Sequence, residues 1–351
     1  MKKERMMVEK KQANIDRVAV SQWIKSNAFP LLTIDPQAAA NDLLPLATMI
    51  RDAKIVGLGE STRGARSAHE LYLIKHRLLR FLVEHAGFRS LVLEGEWTKI
   101  IPLDAYLHTG VGDPRALLAE AWGPLQTEEV LDAIRWMRTF NEQNPSDPIR
   151  VFGAYTGAVD AEAYELIAKL PPSDSRELAL QYARFIVGYY EREGQDSLSL
   201  DHRFAKNTIL WLEHTGHKMV YWGGIGHTAN SSLIQNSGSA GSFLRKYLGA
   251  GYVSIALTFH HGSESEPIPF PSPDFAEAIL SQPELETYYL DLRTDQPESV
   301  RAWLNSQTKV RVIGPYYDPE KDATFFMEGA LADWFDIIIH THKITPAQIL
   351  E

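Results

Sequence analysis

The stretch VGLGESTRGARSAHELYLIKHR, Val56 to Arg77, carries a carboxylate, Glu60, where an apolar run gives way to an amphipathic one, with Arg63 and Arg66 close behind it. Two more acids, Glu94 and Glu96, end the apolar run SLVLEGEW, and His227 follows KMVYWGG in the segment GGIGH. Ligands of an open parallel sheet bind beyond the carboxyl ends of its strands, so polar groups at those ends are the first candidates for chemistry. Glu60 and Glu94 at matching depth on adjacent strands would split their pKa values, one acting as base and the other as acid or orienter, and His227 completes such a set. Taken singly, each has a plainer account as a helix cap, a surface charge or a satisfied structural histidine. Their coincidence at one sheet edge is what favours a site.

Other motifs carry less. GLGESTRG departs from G-x-G-x-x-G, misses the G-x-S-x-G nucleophile elbow by one residue, and no Walker or H-E-x-x-H motif occurs. Near the C-terminus, HTH puts His340 and His342 on one face of a strand, a pair that suits a metal, but no third ligand accompanies them. Neither a metal nor a cofactor is expected.

The elements that must position these residues read as α/β. Seven runs suit strands: Lys54 to Glu60, Ser90 to Trp97, Ile149 to Tyr155, Lys218 to Gly224, Tyr252 to Phe259, Thr287 to Arg293 and Phe335 to His342. Alternating with helical stretches, they predict a central, largely parallel sheet with helices on both faces. Leu71, Ile74, Leu78 and Leu82 form one helical stripe, with Arg77, Arg80 and Glu84 mostly off it. The gaps flanking the third strand, about fifty and sixty residues, far exceed a crossover helix. Their helical spacing predicts a cap inserted between strands, roughly 101–148 and 157–215, within a single domain spanning 1–351. GSESEPIPFPSPDF reads as one long exposed loop.

Composition bounds the partners. The 351 residues are 44% hydrophobic, in short runs that argue against a membrane span. A net charge of −10, with 45 acidic against 35 basic residues and no basic cluster, disfavours nucleic acid. Zero cysteines exclude disulfides and thiol chemistry without fixing a compartment. MKKERMMVEKK lacks the apolar core of a secretory signal, so a frayed terminus and a cytoplasmic protein are expected. The expected partner is a small-molecule substrate; the oligomeric state is open.

From about Lys54 to Pro346 the chain resembles the erythromycin esterase family. The resemblance runs through GLGESTRG, KHRLLRFLVEHAGFRSLVLEGEW, TGVGDPRALLAEAWGPLQTEEVLDAIRWMRTFN, YWGGIGHTA, ALTFHHG and FDIIIHTHKITPA, in that order. It implies an α/β core with a helical cap and a deep cleft. The reaction it implies is hydrolysis of an ester by activated water with no covalent enzyme intermediate, as in members that open macrolide antibiotic lactones and so confer resistance. Glu60 and Glu94 match the family's glutamates, Lys75 falls at its helix Lys or Arg, and His227 matches the second histidine of A-H-N-x-H. Arg63 stands where the family's general-base histidine stands, unless a shift puts Arg66 or His69 there, and Gly224 replaces the first histidine of A-H-N-x-H.

A guanidinium stays protonated and takes no proton from water. Arg63 instead suits an ion pair with Glu60 and Glu94, or the binding of a substrate anion or oxyanion, with Arg66, Lys75 and Glu96 as further substrate-binding candidates. Three outcomes stand open. A hydrolase would use His227 or His69 as base with Glu60 or Glu94 as orienter; a non-hydrolytic enzyme would catalyse elimination or acyl transfer on an anionic substrate; a binding protein would do neither.

Overall fold

Runs such as IVGLGE, MVYWGG and IIIH lack the alternation of a half-exposed strand, and each is buried throughout. That is the signature of strands covered on both faces. The computed structural model describes residues 15–63, 68–155, 161–193, 199–231, 238–314 and 316–351. The N-terminal eleven residues, and with them the expected frayed terminus, and Arg66 lie outside the described residues.

The strands are β1 (Phe29–Pro30), β2 (Ile55–Glu60), β3 (Phe88–Glu96), β4 (Arg150–Tyr155), β5 (Lys218–Gly224), β6 (Tyr252–Ser263), β7 (Pro267–Ile268), β8 (Thr287–Asp291), β9 (Thr308–Arg311), β10 (Phe326–Gly329) and β11 (Ile337–Ile344). A nine-stranded sheet has the order β1-β8-β11-β6-β2-β5-β3-β4, with β7 beside β6, and β9 and β10 form a separate pair. From β11 to β4 every pairing is parallel, while β1, β8 and β7 join antiparallel. The α/β architecture expected from the alternation is therefore present, and all seven anticipated strands form.

Helix His69–Ala86 connects β2 to β3 and buries Leu71, Ile74, Leu78 and Leu82 as its stripe predicts. It ends on Gly87 at φ 72°, a left-handed C-cap that glycine adopts without a Cβ penalty. Arg77 is also buried, contrary to its expected place off the stripe, because Asp42 takes it in a forked ion pair at 2.5 and 2.9 Å. Helices Trp97–Thr109, Pro114–Ala119 and Glu128–Gln143 occupy the gap between β3 and β4. Helices Ala161–Lys169, Asp174–Glu193 and Leu200–Thr215 occupy that between β4 and β5. The segment Gly262 to Phe275 is not one exposed loop: β7 pairs with β6, and Glu264, Ile268 and Phe275 are buried. No helix among the described residues is long and apolar enough to cross a membrane.

Candidate active site

Strands β2 and β3, which carry Glu60 and Glu94, are not neighbours; β5 lies between them. Glu60 pairs with Gly224 and Leu93 with Trp222, so both glutamates flank the glycines that end β5. A Cβ at Gly223 would collide with Glu94 Oε1, and one at Gly224 would come within 3.0 Å of Arg63 Cζ and Nε. The Gly-Gly end leaves the space through which Arg63 reaches both carboxylates.

Arg63 sits just beyond β2, where its backbone N–H donates to Ile313 O at 2.8 Å and fixes the loop. Its Nε donates to Glu60 Oε1 and its Nη1 to Glu94 Oε2, while Nη2 takes part in neither bond. Trp122 covers the guanidinium at 4.9 Å. Lys75, fully buried on helix His69–Ala86, donates to Gly223 O at 3.0 Å and pairs with the other oxygen of Glu60. Two buried anions thus face two cations, the arrangement that makes buried charge tolerable. Tyr221 donates its hydroxyl to Glu94 at 2.8 Å. Burial alone would raise the Glu94 carboxyl, but the charges of Arg63 and His227 and the bonds from Tyr221 and Arg63 outweigh it and hold the group below its usual range. Glu94 is accordingly ionised at neutral pH and unsuited to donating a proton there.

His227 lies on the short helix Ile225–Thr228 that leaves β5. Thr228 O accepts from Tyr252 and Ser254 hydroxyls at 2.6 and 2.8 Å, pinning that helix to β6. The Nδ1 of His227 is 2.7 Å from Asp201 Oδ1, which also accepts the Ala240 N–H at 2.9 Å. Asp201 opens helix Leu200–Thr215 and is held from two sides, so it orients the imidazole; an N–H at Nδ1 leaves Nε2 as the proton acceptor. Burial opposes charging His227, but Glu94 and Asp201 together raise its pKa above the usual value.

A cleft of about 400 Å³ opens over this edge, lined by Arg63, Glu94, Glu96, Trp122, Phe204 and His227 among others. Glu60 and Lys75 lie beneath it and reach it only through Arg63. His69 does not line the cleft: its Nδ1 pairs with Glu129 at 2.5 Å. Asp201 escaped the sequence reading, since no spacing links a helix N-terminus to a histidine 26 positions later. His340 shares a face of β11 with His342 but is buried between Thr258 and Ser281, at 2.9 and 2.6 Å, so both of its ring nitrogens are already engaged.

Comparison with known proteins identifies relatives of this chain. The family model described as erythromycin esterase matches residues 83–171 and 156–344. Erythromycin esterase type II of Escherichia coli is 28% identical over 123 residues, a match that spans 34% of this chain and 28% of that protein. A crystal structure of a Bacillus cereus protein superposes with a TM-score of 0.80 at 25% identity, covering 96% of this chain and 100% of the other. A succinoglycan biosynthesis protein gives 0.76 at 23%, covering 95% and 99%. An erythromycin esterase mutant in its open conformation gives 0.62 at 14%, covering 93% and 99%.

Proposed function

The chain belongs to the erythromycin esterase family, and on that premise we propose that it is a hydrolase in which His227 activates water to cleave an ester or lactone. The observation that carries this reading is the Asp201–His227 pair on the same cleft as the Arg63 guanidinium. Nε2 of His227 takes a proton from water as the oxygen attacks the carbonyl carbon, and later returns it to the leaving alkoxide. The Nη2 edge of Arg63, unused by the glutamates, stabilises the oxyanion. Glu60 and Glu94 hold that guanidinium in place, and Lys75 in turn holds Glu60. The helices between β3 and β5 act as the cap, contributing Trp122, Leu200 and Phe204 to the cleft. Its volume lies near the lower end of the range for drug-sized ligands, which favours a compact ester or lactone over a full macrolide.

An anion-directed elimination or acyl transfer is less well supported, because Arg63 is already committed to two carboxylates and Lys99 pairs with Glu120 at the cleft. The test is a panel of aryl esters, alkyl lactones and macrolides assayed with the native chain and His227→Ala. Turnover by the native chain that falls by about 10²–10⁴ in the variant supports the reading. Absence of turnover across the panel overturns it and leaves the binding-protein reading, and turnover indifferent to His227 overturns His227 as the base.

A further inference from the structure

We propose that His260, His261 and His342 form a binding site for a divalent transition metal of the zinc class, separate from the cleft. The three residues come from two strands, β6 and β11, that run parallel as neighbours, with His261 registered against Lys343. Ligand atoms of all three rings lie within 4.8 Å of one another, and all three residues are half-buried. None lines the cleft of His227.

Successive strand residues ordinarily project to opposite faces, so His260 and His261 should diverge. Here their Nδ1 atoms stand 3.2 Å apart. Two nitrogens sharing a tetrahedral zinc at the usual 2.0–2.1 Å would be separated by roughly 3.3 Å. The convergence has a local cause in Gly262, whose φ of 151° lies outside the range L side chains readily adopt. A Cβ there would overlap the Ile344 carbonyl, so only glycine lets β6 close onto β11 at this level. That closure brings His342 beside the pair, with ring centroids 5.1 Å from His260 and 5.4 Å from His261.

The donor set selects the ion. Neutral imidazoles suit zinc, nickel, cobalt or copper, whereas magnesium and calcium demand oxygen. The nearby Arg311 is neutralised by Asp322 at 2.8 Å, and its Nη1 and Nη2 also donate to His260 O and Pro269 O at 2.9 and 3.1 Å. Phe270 packs on His260 and His261 at 5.1 and 4.5 Å, shielding one side and leaving a fourth coordination position to water.

The experiment titrates the untagged full chain, freed of metal by a chelator, with zinc chloride in a calorimeter and with cobalt chloride by visible absorption. One equivalent bound at micromolar or tighter affinity, with tetrahedral cobalt bands, is expected. His342→Ala and His260→Ala should each weaken binding at least tenfold, while His227→Ala leaves it unchanged. Should an alanine variant fail to fold by circular dichroism, His261→Gln, close in size and poor as a ligand, decides with the same tenfold criterion. No saturable binding by the native chain, or binding that survives in the folded variants, overturns the site.

Discussion

At the scale of single residues, the proposed hydrolysis places the proton transfer on His227, with Arg63 as the oxyanion donor. Because Glu94 and Asp201 raise the His227 pKa, its neutral, water-activating form populates only above a pH higher than that of an ordinary histidine. The ascending limb of kcat/KM against pH is therefore expected above the usual 6.5 of imidazole. Asp201→Asn removes the charge and leaves only a neutral amide oxygen to accept at Nδ1, so that limb should move to lower pH while kcat falls. A limb that stays put in this variant would exclude His227 as the titrating base. Arg63→Lys keeps the charge but loses the fork that spans Glu60 and Glu94 and the spare Nη2 edge. Its kcat should drop by about 10²–10³ with KM little changed, the pattern of a lost oxyanion donor; an equal loss confined to KM would make Arg63 a ground-state binder.

At the scale of elements, the site depends on how β5 ends. Gly223→Ala thrusts a methyl against a buried carboxylate and should cost about 1–3 kcal/mol, read from urea unfolding. Gly224→Ala meets the Arg63 guanidinium at the longer distance of 3.0 Å instead, so it should cost less stability yet displace the guanidinium and lower kcat. Equal effects of the two on both quantities would contradict the packing described. These glycines stand within runs that the sequence already marks as strands, and the long apolar strands were legible because burial on both faces removes any need for alternation. Strands β1, β7, β9 and β10 were not, being two to four residues long and fixed by neighbours distant in the chain. Glu94, Glu96, Arg63 and His227 were legible as strand-end groups facing one cleft. The order of strands was not, which is why Glu60 and Glu94 seemed to belong side by side. Asp201 and the His260–His261–His342 cluster were hidden for the same reason, since each is assembled only when separate elements meet.

At the scale of the whole molecule, the charges of the site also fasten the middle of the sheet. Glu60 on β2, Gly223 on β5, Glu94 on β3, Lys75 on the first crossover helix and Arg63 on its preceding loop are joined in one network. Removing one partner strands the others in a buried setting, so Glu94→Gln should destabilise the fold by about 3–5 kcal/mol at neutral pH. The pH dependence of that loss follows from the direction of the Glu94 shift. A carboxyl whose folded pKa is depressed contributes stability above its unfolded value, 4.5, and loses it as pH falls through the folded one. The gap in melting temperature between the native chain and Glu94→Gln should accordingly be widest at pH 6–7 and narrow steadily below 4.5. Carboxylates outside this network titrate in both proteins and cancel in the difference, which isolates Glu94 and the groups coupled to it. A gap that stays constant down to pH 3 would mean that Glu94 stabilises the sheet by shape alone and that its charge serves only the cleft.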